Sequence, residues 1–329
     1  MRNRSSLWLV ILAAAGVVGL AARAHTIARA GSPAAVAASG CTDLDGDGYG
    51  IGCAAGPDCN DRDPAIHPGA IETCNFKDDD CNGLVDESPG CAAPVIDESP
   101  VHVPLGSFLM GSEAGAADEK PVHRVTVSAF VMDRDEVTNA RYQACVAKGA
   151  CTAPTLPSSS TRARYFDDPA FADYPVIFVS WMQARAFCAF AGGRLPTEAE
   201  WERAAAGSDA PRTYPWGDSP PDCAKANYAP CVGDTDRVGR RLAGQSPYGA
   251  LDMAGNVWEW TADWYDAAYY RTSPSQDPSG PATGSLKVMR GGCWASGEST
   301  LRTTCRKASL PASWAPNVGF RCVYAEVRP

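Results

Sequence analysis

Histidine is scarce in this chain of 329 residues, which contains only His25, His67, His102 and His123. No two of them have the helical spacing with which histidines bind zinc or iron, so a histidine-based metal centre is not expected. The sequence also lacks a phosphate-binding loop, a dinucleotide-binding motif and a Gly-x-Ser-x-Gly nucleophile elbow. These absences leave nucleotide-dependent enzymes and serine hydrolases without support.

A hydrophobic run long enough to span a membrane is missing as well. The run at residues 7–22 has 16 residues, whereas a transmembrane helix needs about 20. It follows Arg2 and Arg4 and ends at a small-x-small site, which is the pattern of a secretory signal peptide. We expect residues 1–24 to be cleaved off and a flexible linker at 25–40 to follow; a retained anchor is the alternative. The mature protein would then be secreted or periplasmic, without a membrane span.

An excess of basic residues is lacking, since 29 lysines and arginines stand against 38 aspartates and glutamates. The negative charge is concentrated in residues 41–91, where only Arg62 and Lys77 are basic. The rest of the chain is close to neutral, so nothing favours binding to nucleic acid. The acidic segment favours a cation instead.

Cysteine, in contrast, is abundant. The 14 cysteines divide into six between Cys41 and Cys91 and eight from Cys145 to Cys322. Both numbers are even, and export takes a chain to an oxidising compartment in which disulfides form and persist. We therefore expect two separately bridged units, an acidic module at 41–91 and a larger domain at 98–328.

The acidic module begins with alternate aspartates on a glycine-rich loop, Asp43, Asp45 and Asp47. Calcium takes six to eight oxygen ligands, and alternate carboxylates on such a loop supply part of that set. The twelfth position of the loop is Ala54 rather than the glutamate of an EF-hand. The remaining ligands are expected from the next acidic stretch, which contains Asp58, Asp61 and Asp63.

The whole module resembles the MopE-like metal-binding cysteine and aspartate repeats of exported bacterial proteins, and more loosely the thrombospondin type 3 calcium repeats. The resemblance rests on the Asp-x-Asp-x-Asp-Gly loop, the Asp-Cys-Asn-Asp-x-Asp step at 58–63 and the turn at 68–70. It implies a bound metal, which we expect to be calcium. The alternative is an acidic tether without an ion, because too few apolar residues are present to form a core. The disulfide connectivity within 41–91 is left open.

The larger domain alternates local signals for strands and helices. Apolar alternation predicts strands at 101–105 and 122–130, separated by a turn at 106–111. Capping boxes formed by Ser180 with Gln183 and by Thr197 with Glu200 predict the starts of two helices. Beyond residue 207, Gly, Pro, Asn and Trp predict extensive loops. The pattern indicates an α+β fold with sparse regular secondary structure.

Five motifs carry a family resemblance. They are Gly-Arg-Leu-Pro-Thr-Glu-Ala-Glu-Trp-Glu (193–202), Tyr-Pro-Trp-Gly-Asp (214–218), Asp-Met-Ala-Gly-Asn-Val-Trp-Glu-Trp (252–260), Arg-Gly-Gly (290–292) and Asn-Val-Gly-Phe-Arg (317–321). Together they resemble the sulfatase-modifying-factor family of formylglycine-generating enzymes. The resemblance implies a C-type-lectin-like core.

The resemblance also implies a calcium site in the third motif. Its ligands would be the side chains of Asp252 and Glu259 and the carbonyl groups of Gly255 and Val257. The alternative is that Trp258 and Trp260 are core aromatics and that Glu259 faces water. A second family calcium site matches only at Asn227 and Tyr228, with Asp234 or Asp236 placed across a gap.

Copper is not expected. Members of this family that oxidise a substrate cysteine bind copper(I) with two cysteines, three and eight residues after the serine of Arg-Gly-Gly-Ser. Here that serine position is Cys293, and the two copper positions are Ser296 and Leu301. Neither provides a soft thiolate, which is the ligand that selects copper(I). We therefore predict that the oxidising activity is absent and that no catalytic residue stands at these two positions.

The eight cysteines of the larger domain are all expected to form disulfides. The family resemblance implies a bridge between Cys188 and Cys322. Short spacing favours two further bridges, Cys145–Cys151 and Cys223–Cys231. The remaining pair, Cys293 and Cys305, is interpreted as an ordinary disulfide, with a relocated redox pair as the alternative.

Two functions remain compatible with these residues. The first is a binding or surface protein that recognises a peptide or other extracellular ligand through an aromatic groove formed by Trp264, Tyr265, Tyr269, Tyr270 and Trp294. The second is an exported oxidoreductase or maturation enzyme that uses a site without thiols. The sequence favours the first because the copper thiols are missing.

Overall fold

The computed structural model describes residues 41–73, 79–82, 100–207, 212–229 and 231–326. The expected signal peptide (1–24) and linker (25–40) lie outside these ranges, and so does part of the acidic module. Within the described ranges, no helix is both long enough and apolar enough to cross a membrane.

The strands of the larger domain form three sheets. The first has the antiparallel order β1-β4-β9, with β1 at Val101–Val103, β4 at Phe130–Met132 and β9 at Val323–Ala325. The second is a hairpin of β2 (Gly106–Met110) and β3 (His123–Val127). The third has the order β7-β6-β5-β8, with β5 at Trp258–Trp264, β6 at Lys287–Arg290, β7 at Lys307–Ser309 and β8 at Val318–Gly319. In this sheet β8 runs parallel to β5.

Three α-helices accompany the sheets in the described residues: α1 at Asn139–Ala147, α2 at Trp181–Phe190 and α3 at Glu198–Ala206. Both predicted capping boxes are confirmed, because Ser180 and Thr197 are the N-caps of α2 and α3 and pair reciprocally with Gln183 and Glu200. No capping box predicts α1, because its N-cap Thr138 has no Glu or Gln three residues later. Short 3-10 turns add to the loops after residue 207, as expected.

The core of the larger domain has two main hydrophobic clusters. One packs α1 and α2 against β5, with the rings of Tyr142 and Phe187 stacked at 5.5 Å between centroids. The other packs α3 against the first two sheets and fully buries Trp201. The Trp201 ring nitrogen donates to Glu259 of β5 at 2.9 Å. Helix α3 therefore fixes the beginning of β5, where the candidate site of the third motif lies.

Disulfides close both units. The predicted bridges Cys145–Cys151, Cys188–Cys322 and Cys223–Cys231 are present. In the acidic module the structure adds Cys41–Cys53 and Cys59–Cys81.

The prediction of a bridge between Cys293 and Cys305 is wrong in this structure, because both cysteines are buried and unbridged. Cys293 follows a turn at Gly291 and Gly292 with φ of +96° and +77°, which directs its sulfur towards Asn317. Spacing along a loop does not determine where two side chains point, and this turn decides it here.

Candidate metal sites and a cysteine-lined cavity

The acidic loop gathers carboxylates as the alternation predicts. Asp43, Asp45 and Asp61 form one group, and Asp45, Asp47 and Asp58 form a second, with one ligand atom from each residue lying within 4.8 Å of the others in its group. Asp45 belongs to both groups. These acidic groups have the composition and spacing of a metal-binding site.

Backbone amides hold one oxygen of several of these carboxylates in place. The Asp47 Oδ1 accepts from the Tyr49 amide at 2.8 Å, and the Asp58 Oδ1 accepts from the Asn60 amide at 2.9 Å. The other oxygens, Oδ2 of Asp45, Asp47 and Asp58, are buried without a hydrogen-bond partner. Burial, together with the neighbouring carboxylates, raises the pKa of Asp45. The loop thus concentrates negative charge that protein donors do not neutralise.

Two residues of the predicted acidic site change role in the structure. Asp63 lies outside both groups, and its Oδ1 accepts from the Ala65 amide at 3.4 Å. Asp58, which the sequence placed only among the nearest additional acids, completes the second group. Asp58 lies beside the Cys59–Cys81 bridge, with its Oδ1 3.9 Å from Cys81 Sγ.

The third motif forms a tight turn before β5. Asp252 and Asn256 both have a φ of +54°, and Gly255 has +90°. A Cβ at Gly255 would collide with the carbonyl oxygen of Asn227, so this position requires glycine. The curled loop that two acids seven residues apart need is therefore present.

Asp252 is buried at the start of this turn, with only 3% of its surface exposed. Its Oδ2 accepts from the Gly239 amide at 2.7 Å, whereas its Oδ1 is buried without a hydrogen-bond partner. Burial raises the pKa of Asp252 to about 6. An orphaned carboxylate oxygen in the interior is unfavourable unless a cation or a proton satisfies it.

Glu259 lies at the other end of the turn and is completely buried. Its two oxygens accept from Nη2 and Nε of Arg321, both at 2.7 Å, and Oε2 also accepts from Trp201. The alternative to the calcium site is correct in that Trp258 and Trp260 are buried core aromatics, but Glu259 does not face water. Three donors occupy three of the four lone-pair positions of the carboxylate, which leaves one on Oε1.

Glu136 organises the middle of the turn. Its Oε2 accepts from Asn256 Nδ2 at 2.6 Å and its Oε1 from the Val257 amide at 3.1 Å. Burial, with Asp252 and Glu259 nearby, raises the pKa of Glu136 well above its usual value. No local pattern indicates this role, because Glu136 is 120 residues from Asn256 in the chain.

The second family calcium site is not assembled from the acids considered for it. Asp234 accepts from Ser159 and Thr161 and lies 3.3 Å from Arg162, and Asp236 pairs with Arg241 at 2.7 Å. Tyr228 donates its hydroxyl to the Pro221 carbonyl. Asn227 Oδ1 is buried and has no hydrogen-bond partner. However, the two acids considered with it, Asp234 and Asp236, are already paired with arginines.

A cavity of about 500 Å³ lies beside β5 and β7. Residues that line it include Trp258, Cys293, Ser296, Cys305, Arg306 and Asn317. Leu301, the other residue at a position where the family has a copper ligand, is completely buried in an apolar cluster with Ala226, Tyr228 and Ala254. Ser296 Oγ accepts from the Cys293 amide at 2.9 Å. A hydroxyl and an isobutyl group do not fit a copper thiolate site.

The aromatic residues expected at a single groove do not converge on this cavity. Tyr270 is buried, and Trp264 packs on the Lys287 ammonium at 3.8 Å from its ring centroid. Tyr265 lines a different cavity, next to Asp118 and Arg271. Trp294 donates to the Pro316 carbonyl. The aromatic residue that lines the cysteine cavity is Trp258, which the sequence placed in the calcium motif.

Comparisons with known proteins cover most of the larger domain. The formylglycine-generating enzyme of Streptomyces coelicolor is 36% identical over 288 residues, which cover 71% of this chain and 92% of that protein. A serine/threonine-protein kinase pkn1 of Chlamydia caviae is 36% identical over 246 residues. That match covers 68% of this chain and 37% of the kinase, so this chain spans little more than a third of that relative.

Solved structures with the same fold include two at comparable similarity. Treponema denticola variable protein 1 has a TM-score of 0.57 and 25% identity, and PvdO from Pseudomonas aeruginosa has a TM-score of 0.57 and 28% identity. Each match covers 69% of this chain and 94% of the solved chain. The α+β fold that the sequence pattern predicts is therefore confirmed.

Two family descriptions match the two units. Residues 58–87 match the MopE metal-binding motif, within the acidic module. Residues 92–326 match the sulfatase-modifying factor enzyme 1-like domain, which includes the turn at Asp252, the cysteine-lined cavity and all three helices. With most of its length accounted for by this match, the chain belongs to the sulfatase-modifying-factor family, the family of the formylglycine-generating enzymes.

Proposed function

We propose that this protein is an exported, calcium-binding member of its family that binds a peptide or other extracellular ligand and has no cysteine-oxidising activity. One observation carries the proposal: Ser296 and Leu301 occupy the two positions at which the family's oxidising members have copper-binding cysteines. Leu301 is also part of an apolar cluster, so its position has no room for a polar ligand set without repacking.

Oxygen uptake tests the loss of activity. The full chain is produced with export through an oxidising compartment, where its mass is expected to correspond to a start at His25, consistent with its disulfides. With a Cys-x-Pro-x-Arg peptide we expect no peptide-dependent oxygen consumption and no stoichiometric copper, because the soft ligands are absent. The formylglycine-generating enzyme of Streptomyces coelicolor is the positive control. Stoichiometric copper or iron together with oxygen consumption would support the oxidoreductase alternative instead.

Calcium is the ion that best suits the acidic loop. The two groups that share Asp45 offer only oxygen donors, which hard cations prefer over softer transition metals. Copper through thiolates is disfavoured there because the described cysteines of the module are bridged. The unpartnered oxygens of Asp45, Asp47 and Asp58 are the atoms we assign to the ion.

A second calcium ion is proposed at the turn before β5. The orphaned Asp252 Oδ1 suits a cation, and Glu259 retains one lone-pair position beside Arg321. The carbonyl groups of Gly255 and Val257 are the other proposed ligands. Burial and the neighbouring Asp252 and Glu259 raise the pKa of the nearby Glu136 well above its usual value, and a bound cation would favour its ionised form.

Calorimetric titration with calcium and thermal melting separate the two sites. A ligand that binds only the folded state stabilises it by about 2.7 kcal/mol at one hundred times its Kd. Asp45→Asn is expected to remove binding in the module, and Asp252→Asn to remove the calcium-dependent stabilisation of the larger domain. Asp63→Asn is the matched control for the module because Asp63 lies outside both acidic groups. If chelator leaves the melting of the larger domain unchanged, the ion does not bind at Asp252.

The same titration has a pH signature. Since burial raises the pKa of Asp252 to about 6, the protonated carboxyl group competes with calcium below that pH. Affinity at this site is therefore expected to weaken as the pH falls through about 6. Without calcium the sign is opposite: a raised carboxyl pKa stabilises the fold at low pH, and that stability is lost as the pH rises through about 6. Asp252→Asn should remove both trends.

A further inference from the structure

Two thiols of this disulfide-rich protein remain unpaired. Cys293 and Cys305 are buried and unbridged, whereas every other cysteine within the described ranges belongs to a disulfide. Thiols that escape oxidation in such a chain are expected either to be inaccessible to each other or to be held for a reaction. Their common location favours the second possibility.

Both cysteines line the same cavity of about 500 Å³, next to Ser296 and Asn317. Asn317 Nδ2 donates to Cys293 Sγ at 3.3 Å, and Ser296 Oγ lies 3.4 Å from the same sulfur. Hydrogen-bond donors aimed at a sulfur stabilise its thiolate, which is the reactive form. The cavity is large enough for a small organic molecule.

The two thiols are not equivalent. Cys305 has no hydrogen-bond donor on its sulfur among the described contacts, and burial raises its pKa. It is therefore protonated at neutral pH, whereas the Cys293 sulfur accepts a hydrogen bond from Asn317 Nδ2. Cys293 is the natural attacking group and Cys305 the second, resolving thiol.

The charge at the cavity favours an anionic ligand. Arg306 lines it, although the guanidinium is paired with both oxygens of buried Glu198 at 2.7 and 2.8 Å. Lys307 is exposed, with its ammonium 5.0 Å from the centroid of the Trp258 ring. A carboxylate near Lys307 and an organic group against Trp258 would place a ligand alongside the two sulfurs.

We propose that Cys293 and Cys305 form a dithiol site that reduces small, carboxylate-bearing disulfides by thiol–disulfide exchange. The Cys293 thiolate attacks one sulfur of the ligand, which breaks the ligand's S–S bond and releases the first thiolate. The Cys305 thiol then loses its proton and attacks the Cys293 sulfur of the mixed disulfide, which releases the second thiolate. Two cysteine thiols are oxidised to one disulfide, the ligand disulfide is reduced to two thiols, and the two protons pass to the leaving groups.

This activity goes beyond the ligand binding proposed above. It uses neither oxygen nor copper, and neither of its sulfurs stands at a copper position of the family. Its success or failure therefore leaves the calcium and binding proposals unchanged.

The test uses the exported full chain and 5,5′-dithiobis(2-nitrobenzoate), a carboxylate-bearing disulfide that releases a coloured thiolate. The protein is treated with a low concentration of dithiothreitol, desalted and mixed with the probe under native conditions. A double variant, Cys293→Ser with Cys305→Ser, provides the background to be subtracted. We expect the wild-type chain to release two thiolates per molecule, to keep no adduct and to gain a Cys293–Cys305 bridge in peptide mapping.

Single variants assign the order of attack. Cys305→Ser should release one thiolate and keep one adduct on Cys293, whereas Cys293→Ser should lose the rapid release. Circular dichroism and melting curves establish that each variant is folded, and the mapping of the wild-type product does not depend on any variant. Stable adducts on both cysteines of the wild type, or thiols that react only after unfolding, would overturn the proposal.

Discussion

Replacement of Glu259 by glutamine is expected to lower the free energy of unfolding by about 3–5 kcal/mol, since it leaves a buried guanidinium without its counter-charge. Glu259 and Arg321 are both completely buried and joined by two hydrogen bonds of 2.7 Å. Denaturation with urea, in the presence of chelator, measures the loss independently of calcium. The exposed Glu298→Gln is the matched control, with an expected change within about 0.5 kcal/mol.

This result would also clarify how Glu259 contributes to the calcium site. Because Glu259 supports Arg321 as well as the proposed ion, its substitution combines two effects that Asp252→Asn keeps apart. A loss below about 1 kcal/mol in chelator would be far smaller than breaking a buried ion pair costs. It would mean that the ion pair contributes little to the fold without calcium.

Removal of the Cys188–Cys322 bridge by alanine at both positions is expected to cost about 5 kcal/mol from loop-closure entropy. The bridge joins two residues that are 134 positions apart, one in helix α2 and the other directly before strand β9. The matched control is the double alanine variant of Cys145 and Cys151, only 6 residues apart, for which the same relation gives about 2 kcal/mol. Urea denaturation of both variants measures the difference.

The comparison of the two bridges isolates the effect of loop length. All four of these cysteines are bridged in the same domain, and Cys145, Cys188 and Cys322 are completely buried. If the two variants lost equal stability, local packing around the sulfurs rather than restriction of the unfolded chain would dominate. The predicted order, with the long bridge contributing more, follows only from the entropic account.

The two candidate calcium sites differ in how they are built. In the acidic module, residues close in sequence supply both groups, from Asp43 to Asp61. At the turn before β5, distant groups surround the motif: Glu136 holds Val257, and Arg321 holds Glu259. We therefore expect the module's ion to depend on one loop and its disulfides, and the ion of the larger domain to depend on the whole fold.

The two helix starts encoded by capping boxes were predicted correctly, whereas the turn predicted at 106–111 is strand β2, Gly106–Met110. The starts of α2 and α3 follow from caps at Ser180 and Thr197, because a capping box forms from residues in one turn of the chain. Helix α1 lacks such a box and was missed. Strand β5 was hidden in a stretch that the family resemblance presented as a metal loop, because both features overlap at Trp258 and Glu259.

The candidate site was predicted only in part for a related reason. The alternation of aspartates indicated the acidic groups, but not that Asp58 rather than Asp63 belongs to them. The aromatic groove was predicted from composition, and its residues are dispersed over separate contacts. Composition reports which side chains are available and does not report which of them face one another.

The sequence by itself determined the α+β class, three disulfides of the larger domain and the absence of cysteine at the copper positions. These properties depend on residue identity, short spacing and motif order. Tertiary structure alone decided that Cys293 and Cys305 stay unbridged in one cavity and that Glu259 pairs with Arg321. The physical reason is that packing between distant segments sets the direction of side chains at such positions. For Cys293 the turn at Gly291 and Gly292 sets it, and for Glu259 the approach of α3 to β5 does.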